Sequence, residues 1–180
     1  MTLPLHPLLV HLPIALAILM PVLAIILWFA IRRTWLPARA WTLAVGAQFL
    51  LVVSGFVAMR SGEADEERIE HRVPEAAIER HEEAAERFVW AAVAVLGAAV
   101  VPLVLRGKPH AIRIGSAATV LGSLAVLALG YRVGHAGGEL VYRHGAAAAY
   151  ADSASGLPDA DTGNAASDGG SREAEEHEEH

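Results

Sequence analysis

The sequence predicts an all-α integral membrane protein, a four-helix bundle followed by a disordered acidic tail. Hydrophobic residues make up 54% of the 180-residue chain, and they are gathered into four long blocks with polar sequence between them. Each block is close to the length that a helix needs to cross the hydrocarbon layer, about 20 apolar residues. Histidine-rich motifs stand before the first block and after the fourth. We therefore predict a transmembrane domain over residues 1–147 and a tail over residues 148–180.

The uncharged stretches of the sequence give the approximate limits of the four spans. They cover about residues 8–31, 41–59, 88–105 and 114–131, with a polar insert at 60–87. Pro74 is suited to the start of a helix, and the sequence contains no helix breaker before Phe88, so this helix is expected to continue into the third span. The glycine-rich segment 134–145 is expected to leave the helix and fold back.

Small residues recur at spacings of three and four in the second and fourth spans, which predicts close packing between helices. Gln48 is the strongly polar residue of the second span and is expected to form an interhelical hydrogen bond. In the tail, residues 145–180 contain nine acidic residues and one arginine among Ala, Gly and Ser, a composition that cannot build a core.

The absence of certain residue types and motifs from the sequence argues against several classes of function. With no cysteine, the protein has no disulfides, no thiolate metal ligands and no covalent c-type haem attachment. There is no glycine-rich phosphate loop, no nucleophile elbow and no His-Glu-x-x-His motif. We expect neither an independent enzyme nor a nucleic-acid partner.

The motif at residues 6–13, His-Pro-Leu-Leu-Val-His-Leu-Pro, begins the first span. A histidine in the first turns of a spanning helix is costly when it faces lipid, so His11 is expected to face the bundle or a polar cavity. Pro13 lacks the N–H that would bond the Leu9 carbonyl, and it is expected to bend the helix just past His11. A freed carbonyl and an imidazole would then form a polar pocket.

Four spans bring most of the histidines to one side of the membrane. This face contains His6, His11, His71, His81, His135 and His144, whereas His110 lies on the opposite side. The opposite side carries six Lys or Arg residues in two short loops without an acid, which is typical of the cytoplasmic side. We expect a multi-pass protein of the bacterial plasma membrane with both termini outside the cytoplasm.

Histidines contributed by several helices are the means by which bundles build cofactor sites. One interpretation is b-type haem, with His11 and either His81 or His135 as axial ligands. The first alternative is a copper or zinc site that draws three or four ligands from His6, His71, His81, His135 and His144. Glu82, Glu83 and Glu139 are the candidate carboxylates to orient the imidazoles. The second alternative is a membrane assembly module, such as a homo-oligomer, in which the histidines form only local hydrogen bonds.

The motifs together resemble a bacterial family of predicted four-helix membrane proteins catalogued as a domain of unknown function. The resemblance rests on the motif at 6–13, the Ser-Gly pair ending the second span, His81-Glu82 before the third span, and the Gly-Gly-Glu-Leu-Val-Tyr-Arg-His-Gly motif at 137–145. It covers about residues 5–147 and implies motif histidines at His6, His11, His81 and His144. Similar domains occur in some chains beside redox modules. The resemblance therefore favours haem and membrane electron transfer with a membrane or periplasmic redox partner.

Overall fold

The computed structural model describes residues 6–65 and 73–144, and this part of the chain is helical almost throughout. The α-helices are α1 (His6–Leu9), α2 (His11–Arg32), α3 (Thr42–Asp65), α4 (Glu75–Val104) and α5 (Pro109–Tyr142), and a 3-10 helix at Ala38–Trp41 precedes α3. The described residues contain no strand. The predicted all-α class is confirmed, while the tail predicted at 148–180 lies outside the described residues.

Four helical segments are long and apolar enough to cross a membrane. They are His6–Arg32, Ala38–Ala64, Glu75–Val104 and Pro109–Tyr142. Large apolar side chains such as Ile18, Leu43, Trp90 and Leu121 are more than half exposed in the isolated chain. A large apolar surface of this kind is what a bundle presents to lipid, because lipid tails rather than water surround it. The protein is therefore a predicted integral membrane protein with four candidate spans.

The four long helices form a closed bundle in which α2 and α4 each pack against both α3 and α5. Their shared core includes Met20 of α2, Leu51 of α3, Ala92 of α4 and Val126 of α5. Because consecutive spans run in opposite directions, the ends of α3 and α5 lie at the same end of the bundle as the beginnings of α2 and α4. This arrangement brings α1 and the first turns of α4 close together.

Glycine allows α4 and α5 to approach each other closely. A Cβ atom added to Gly122 would lie 2.6 Å from Cγ2 of Val95, and one added to Gly115 would lie 2.9 Å from Cδ of Pro102. Both distances are too short for a real side chain. The small residues of the fourth span therefore bring the backbone of α5 against α4, as the sequence predicted.

The buried polar residue of the second span forms the predicted interhelical hydrogen bond. Gln48 is 1% exposed, and its Nε2 donates to the carbonyl oxygen of Ala92 at 2.9 Å. Trp41 forms a second link of the same kind, from its Nε1 to the carbonyl oxygen of Ala99 at 2.9 Å. Both donors are satisfied inside the bundle, so these side chains serve helix packing.

The prediction that the glycine-rich segment leaves the helix is wrong. Helix α5 continues through this segment to Tyr142, while α4 runs without a break from Glu75 into its span, as predicted. Leu140 is buried against Val73 and Ile78 of the polar insert. This burial outweighs the cost of glycine in a helix, about 1 kcal/mol per residue relative to alanine.

The expected bend after His11 is also displaced. The helix is interrupted at Val10, which separates α1 from α2, and Pro13 lies inside α2. In the first turn of a helix a proline removes no intrahelical hydrogen bond, because the first N–H groups have no partner there in any case. Pro13 is consequently compatible with a regular helix, and the short helix α1 carries His6 separately.

Candidate functional site

His6 and His81 lie next to each other at one end of the bundle, and we call them the histidine pair. Their ring centroids are 6.3 Å apart, and the ring planes are inclined by 89°. His6 belongs to α1 and His81 to the first turns of α4, and both side chains are half-buried. Of the six histidines that the topology assigned to this face, these two are in ring contact.

The orientation of His6 is set by α3. Its Nδ1 lies 2.9 Å from the carbonyl oxygen of Ala58 and 3.0 Å from Oγ of Ser61. A carbonyl oxygen only accepts, so Nδ1 carries the proton and donates, and Nε2 of the neutral ring keeps its lone pair. Ser61 itself donates to the same carbonyl at 2.7 Å. The ring is therefore held with a free acceptor nitrogen.

His81 has a buried nitrogen without a partner. Its Nδ1 is shielded from solvent and forms no hydrogen bond within the described part of the chain. His81 precedes the apolar segment that begins at Phe88 and stands among the charged residues of the polar insert. Burial lowers the pKa of His81, the repulsion that the protonated forms of His81 and His6 would exert on each other lowers it further, and the backbone of Val133 acts in the opposite direction. A neutral imidazole with an available nitrogen is a metal ligand.

Each ring of the histidine pair lies against a glycine. A Cβ atom on Gly62 of α3 would lie 3.2 Å from Cε1 of His6, and one on Gly137 of α5 would lie 3.1 Å from Cε1 of His81. Both distances are tighter than ordinary side-chain contacts. Glycine at these positions lets the rings rest on helix backbone, which gives a physical reason for one of the glycines in the motif at 137–145.

His11 does not contribute to the pair. Its side chain is exposed, and its Nδ1–H donates to the carbonyl oxygen of Leu8 at 3.3 Å. The expectation that His11 faces the bundle is therefore wrong. The buried face of α2 contains Pro13, Leu16 and Ala17, and His11 points away from that face.

His135 belongs to a separate and smaller feature. It lines a cavity of about 150 Å³ together with Tyr131, Arg80 and Glu139. The His135 ring lies 6.2 Å from the ring of Tyr131 with the planes inclined by 53°. Sites for drug-sized ligands usually measure roughly 300–1,000 Å³, so this cavity is too small for a porphyrin.

The remaining residues of the predicted site are dispersed. His144 is half-buried at the end of α5, and its backbone N–H donates to the carbonyl oxygen of Glu139. Glu83 pairs with Arg87 at 2.8 Å, and Glu139 pairs with Arg143 at 3.0 Å, so both are engaged with arginines one helical turn away. Glu82 directly follows His81 in α4.

The structure does not assemble the predicted site of three or four ligands from the residues it describes. His71 lies outside the described residues, and over 6–65 and 73–144 no group of three histidine or carboxylate side chains is close enough to hold one ion. Ser61, the Ala58 carbonyl, Gly62 and Gly137 were not among the predicted site residues. Of these, only the position of Gly137 within a motif gave a signal.

One comparison with known protein families agrees with this architecture. A family model described as "Predicted membrane protein (DUF2231)" matches residues 2–149. No curated protein and no solved structure gives a significant match. The matched region contains the four candidate spans and the histidine pair. The chain therefore belongs to the DUF2231 family of predicted membrane proteins, a domain of unknown function.

Proposed function

We propose that the protein binds one copper ion between His6 and His81 and serves membrane electron transfer with a redox partner. The observation that carries this proposal is the buried, unpartnered Nδ1 of His81 beside His6. A polar atom left in this state costs about 1–3 kcal/mol, and coordination of an ion would remove that cost.

The spacing of the two rings supports an ion between them. Metal-bound imidazole nitrogens lie about 2.0 Å from the ion, so two imidazoles on opposite sides of an ion have centroids roughly 6 Å apart. The centroids of the histidine pair are separated by 6.3 Å. The free nitrogens, Nε2 of His6 and Nδ1 of His81, are the candidate ligand atoms.

The number of ligands favours copper over zinc. Structural zinc takes four ligands in a tetrahedron, and catalytic zinc takes three from the protein. Cuprous copper is satisfied by two imidazoles, and imidazole is a good ligand for copper. The described residues offer two imidazoles at this position, which matches cuprous copper.

Haem b is the second candidate, because an unpartnered imidazole nitrogen is also what an axial haem ligand provides. The cavity beside His135 measures about 150 Å³, which is small for a porphyrin. The described geometry therefore supports a single ion better than haem. An absorption spectrum separates the two candidates, since haem gives a Soret band and cuprous copper does not.

The test is a copper titration of the full-length protein purified in detergent. His177 and His180 of the acidic tail are changed to alanine in every sample, so that metal binding there does not contribute. Cuprous copper is added under reducing conditions in competition with a chromophoric chelator, and bound metal is counted by mass spectrometry of the elements. We expect one copper per chain and no Soret band.

The variants His6→Ala and His81→Ala are expected to weaken copper binding at least about 10-fold, which is about 1.4 kcal/mol. His110→Ala is the matched control, because His110 is exposed at the other end of the bundle, and it should bind as the parent protein does. Equal affinity in all four proteins would disprove the copper site. A Soret band that is lost when His81 is changed would establish haem instead. If the protein binds neither copper nor haem, the membrane assembly module is the alternative that stands.

A further inference from the structure

A second pocket lies at the end of the bundle opposite the histidine pair. It measures about 300 Å³ and lies between the end of α2, the 3-10 helix, the end of α4 and the beginning of α5. Arg32, Arg106 and Arg113 contribute to its lining, and we call it the arginine pocket. None of these arginines takes part in the proposed copper site.

The walls of the arginine pocket are largely apolar. Trp28, Trp41 and Leu103 are among the side chains that form them. Trp41 is 2% exposed, and its hydrogen bond to the Ala99 carbonyl joins this wall of the pocket to α4. The pocket therefore combines a hydrocarbon-lined interior with cationic groups, the chemistry of a site for an amphipathic anion.

Among the described residues, no ion pair joins the cations of this end to an acidic side chain. Residues 32–41 and 104–114 contain six arginine or lysine residues and no Asp or Glu. The guanidinium of Arg32 lies over the ring of Trp28, 5.0 Å from its centroid. At the other end of the bundle, by contrast, Arg60, Arg87 and Arg143 each pair with a glutamate. Within residues 6–65 and 73–144, the arginine pocket is therefore left without a counterion.

The position of the pocket identifies the source of this anion. Tryptophan and arginine are concentrated where a span leaves the hydrocarbon layer, which is the level of the lipid headgroups. Basic pockets between spanning helices at this level are suited to anionic headgroups. An inorganic anion would leave the apolar walls without a partner, whereas a phospholipid fills them with its glycerol and acyl carbons. We propose that the arginine pocket binds one anionic phospholipid, its phosphate against the three arginines.

The proposal is tested on the full-length protein in neutral detergent. Phosphatidylglycerol, phosphatidylcholine and inorganic phosphate are added separately, and retained lipid is counted by native mass spectrometry while the midpoint of thermal unfolding is followed. We expect one retained phosphatidylglycerol, bound about 10-fold or more tightly than phosphatidylcholine. Inorganic phosphate at the same concentration should leave the midpoint unchanged.

Two triple variants test whether the pocket or the overall charge is responsible. The pocket variant carries Arg32→Gln, Arg106→Gln and Arg113→Gln, and the control carries Arg33→Gln, Arg39→Gln and Lys108→Gln. Both remove three charges from the same end of the bundle, and the control residues do not line the pocket. The pocket variant should bind phosphatidylglycerol no better than phosphatidylcholine, while the control keeps most of the preference.

Equal losses in the two triple variants would overturn the proposal and assign the effect to general surface charge. Equal stabilisation by inorganic phosphate would identify a free-anion site, and equal binding of the two lipids would exclude recognition of the headgroup charge. If the pocket variant fails to fold, the single changes Arg106→Gln and Arg113→Gln decide in its place. Each should lower the preference for phosphatidylglycerol about 5-fold, and an unchanged preference in both would contradict the proposal.

Discussion

The two ends of the bundle differ in whether their arginines have acidic partners among the described residues. At the histidine end, Arg60, Arg87 and Arg143 each have a glutamate partner, and two imidazoles approach each other among them. At the arginine end, six cations stand in two loops without an acid. Over the described residues, these three arginines of the histidine end are ion-paired and one nitrogen of His81 has no hydrogen-bond partner, whereas the six cations of the arginine end have no ion pair.

This difference separates the ligands that each end suits. Neutral imidazoles exposing lone pairs are suited to a cation, and guanidinium groups are suited to an anion. The two proposed sites therefore have opposite character and lie at opposite ends of the same four helices. Variants that change one end should leave the other unaffected, unless they disturb the contact between α4 and α5 that both ends share.

The largest effect is expected from Gly122→Leu. The new side chain would collide with Val95, since even a Cβ atom would lie 2.6 Å from its Cγ2. Overpacking typically costs about 1–3 kcal/mol, and so short a contact is expected at the upper end of that range. We expect a lower thermal midpoint and simultaneous loss of copper and lipid binding. Gly97→Leu is the control, because nothing lies within 4 Å of a Cβ atom at Gly97. Equal damage from both substitutions would contradict a specific contact at Gly122.

A smaller effect restricted to the histidine end is expected from Gly137→Ala. The added methyl group would lie 3.1 Å from Cε1 of His81, so the ring must move. Copper affinity should fall about 10-fold, or about 1.4 kcal/mol, while phosphatidylglycerol binding is unchanged. Helix stability should not fall, because alanine is the better helix former by about 1 kcal/mol.

The neighbouring change Gly138→Ala serves as the control for Gly137→Ala, because it adds a methyl group in open space. It should keep full copper affinity with the same gain in helix propensity. Circular dichroism melting and the chelator competition measure the two quantities separately. If both alanine variants lose copper equally, the contact between Gly137 and His81 has no role in the site.

The smallest effect is expected from Ser61→Ala. This change removes one of the two partners of His6 Nδ1 and leaves the Ala58 carbonyl in place. Copper affinity should fall about 3-fold, since a single neutral hydrogen bond contributes about 0.5–1.5 kcal/mol. Ser54→Ala removes a comparable bond, to Leu51 of the same helix, that is remote from the imidazole. It should leave the chelator competition unchanged, and a matching loss there would refute the specific role of Ser61.

The fold was predictable because four uncharged blocks dominate the chain and leave few alternatives. The end of α5 was not, because its glycines have a low helix propensity when considered one at a time. Helix formation there depends on burial of Leu140 and on the approach of Gly137 to His81, which are tertiary contacts. The bend was predicted in the wrong place, because Pro13 was expected to interrupt the helix. Pro13 lies in the first turn of α2, where a proline is tolerated, and the break is at Val10.

The site was predictable only to the level of a shared face. Topology places His6 and His81 at one end, but which rings meet depends on the rotation of each helix about its axis. Spans that are apolar all round give little information about that rotation. His11 illustrates the error, because its place in the motif suggested a ligand and its side chain is exposed. The basic residues of the arginine pocket served only to predict orientation, although Trp28, Trp35 and Trp41 mark the basic loop between the first two spans.

The glycines beneath the two imidazoles have a mechanical consequence. His6 rests on α3 and His81 on α5, and these two helices lie diagonally across the bundle because α2 and α4 each pack against both. An ion held between the rings would therefore link α3 and α5 across that diagonal. Ion binding and the distance between α3 and α5 are then thermodynamically coupled. An ion that shortens this distance would stabilise the closed bundle, and a partner that increases it would weaken ion binding.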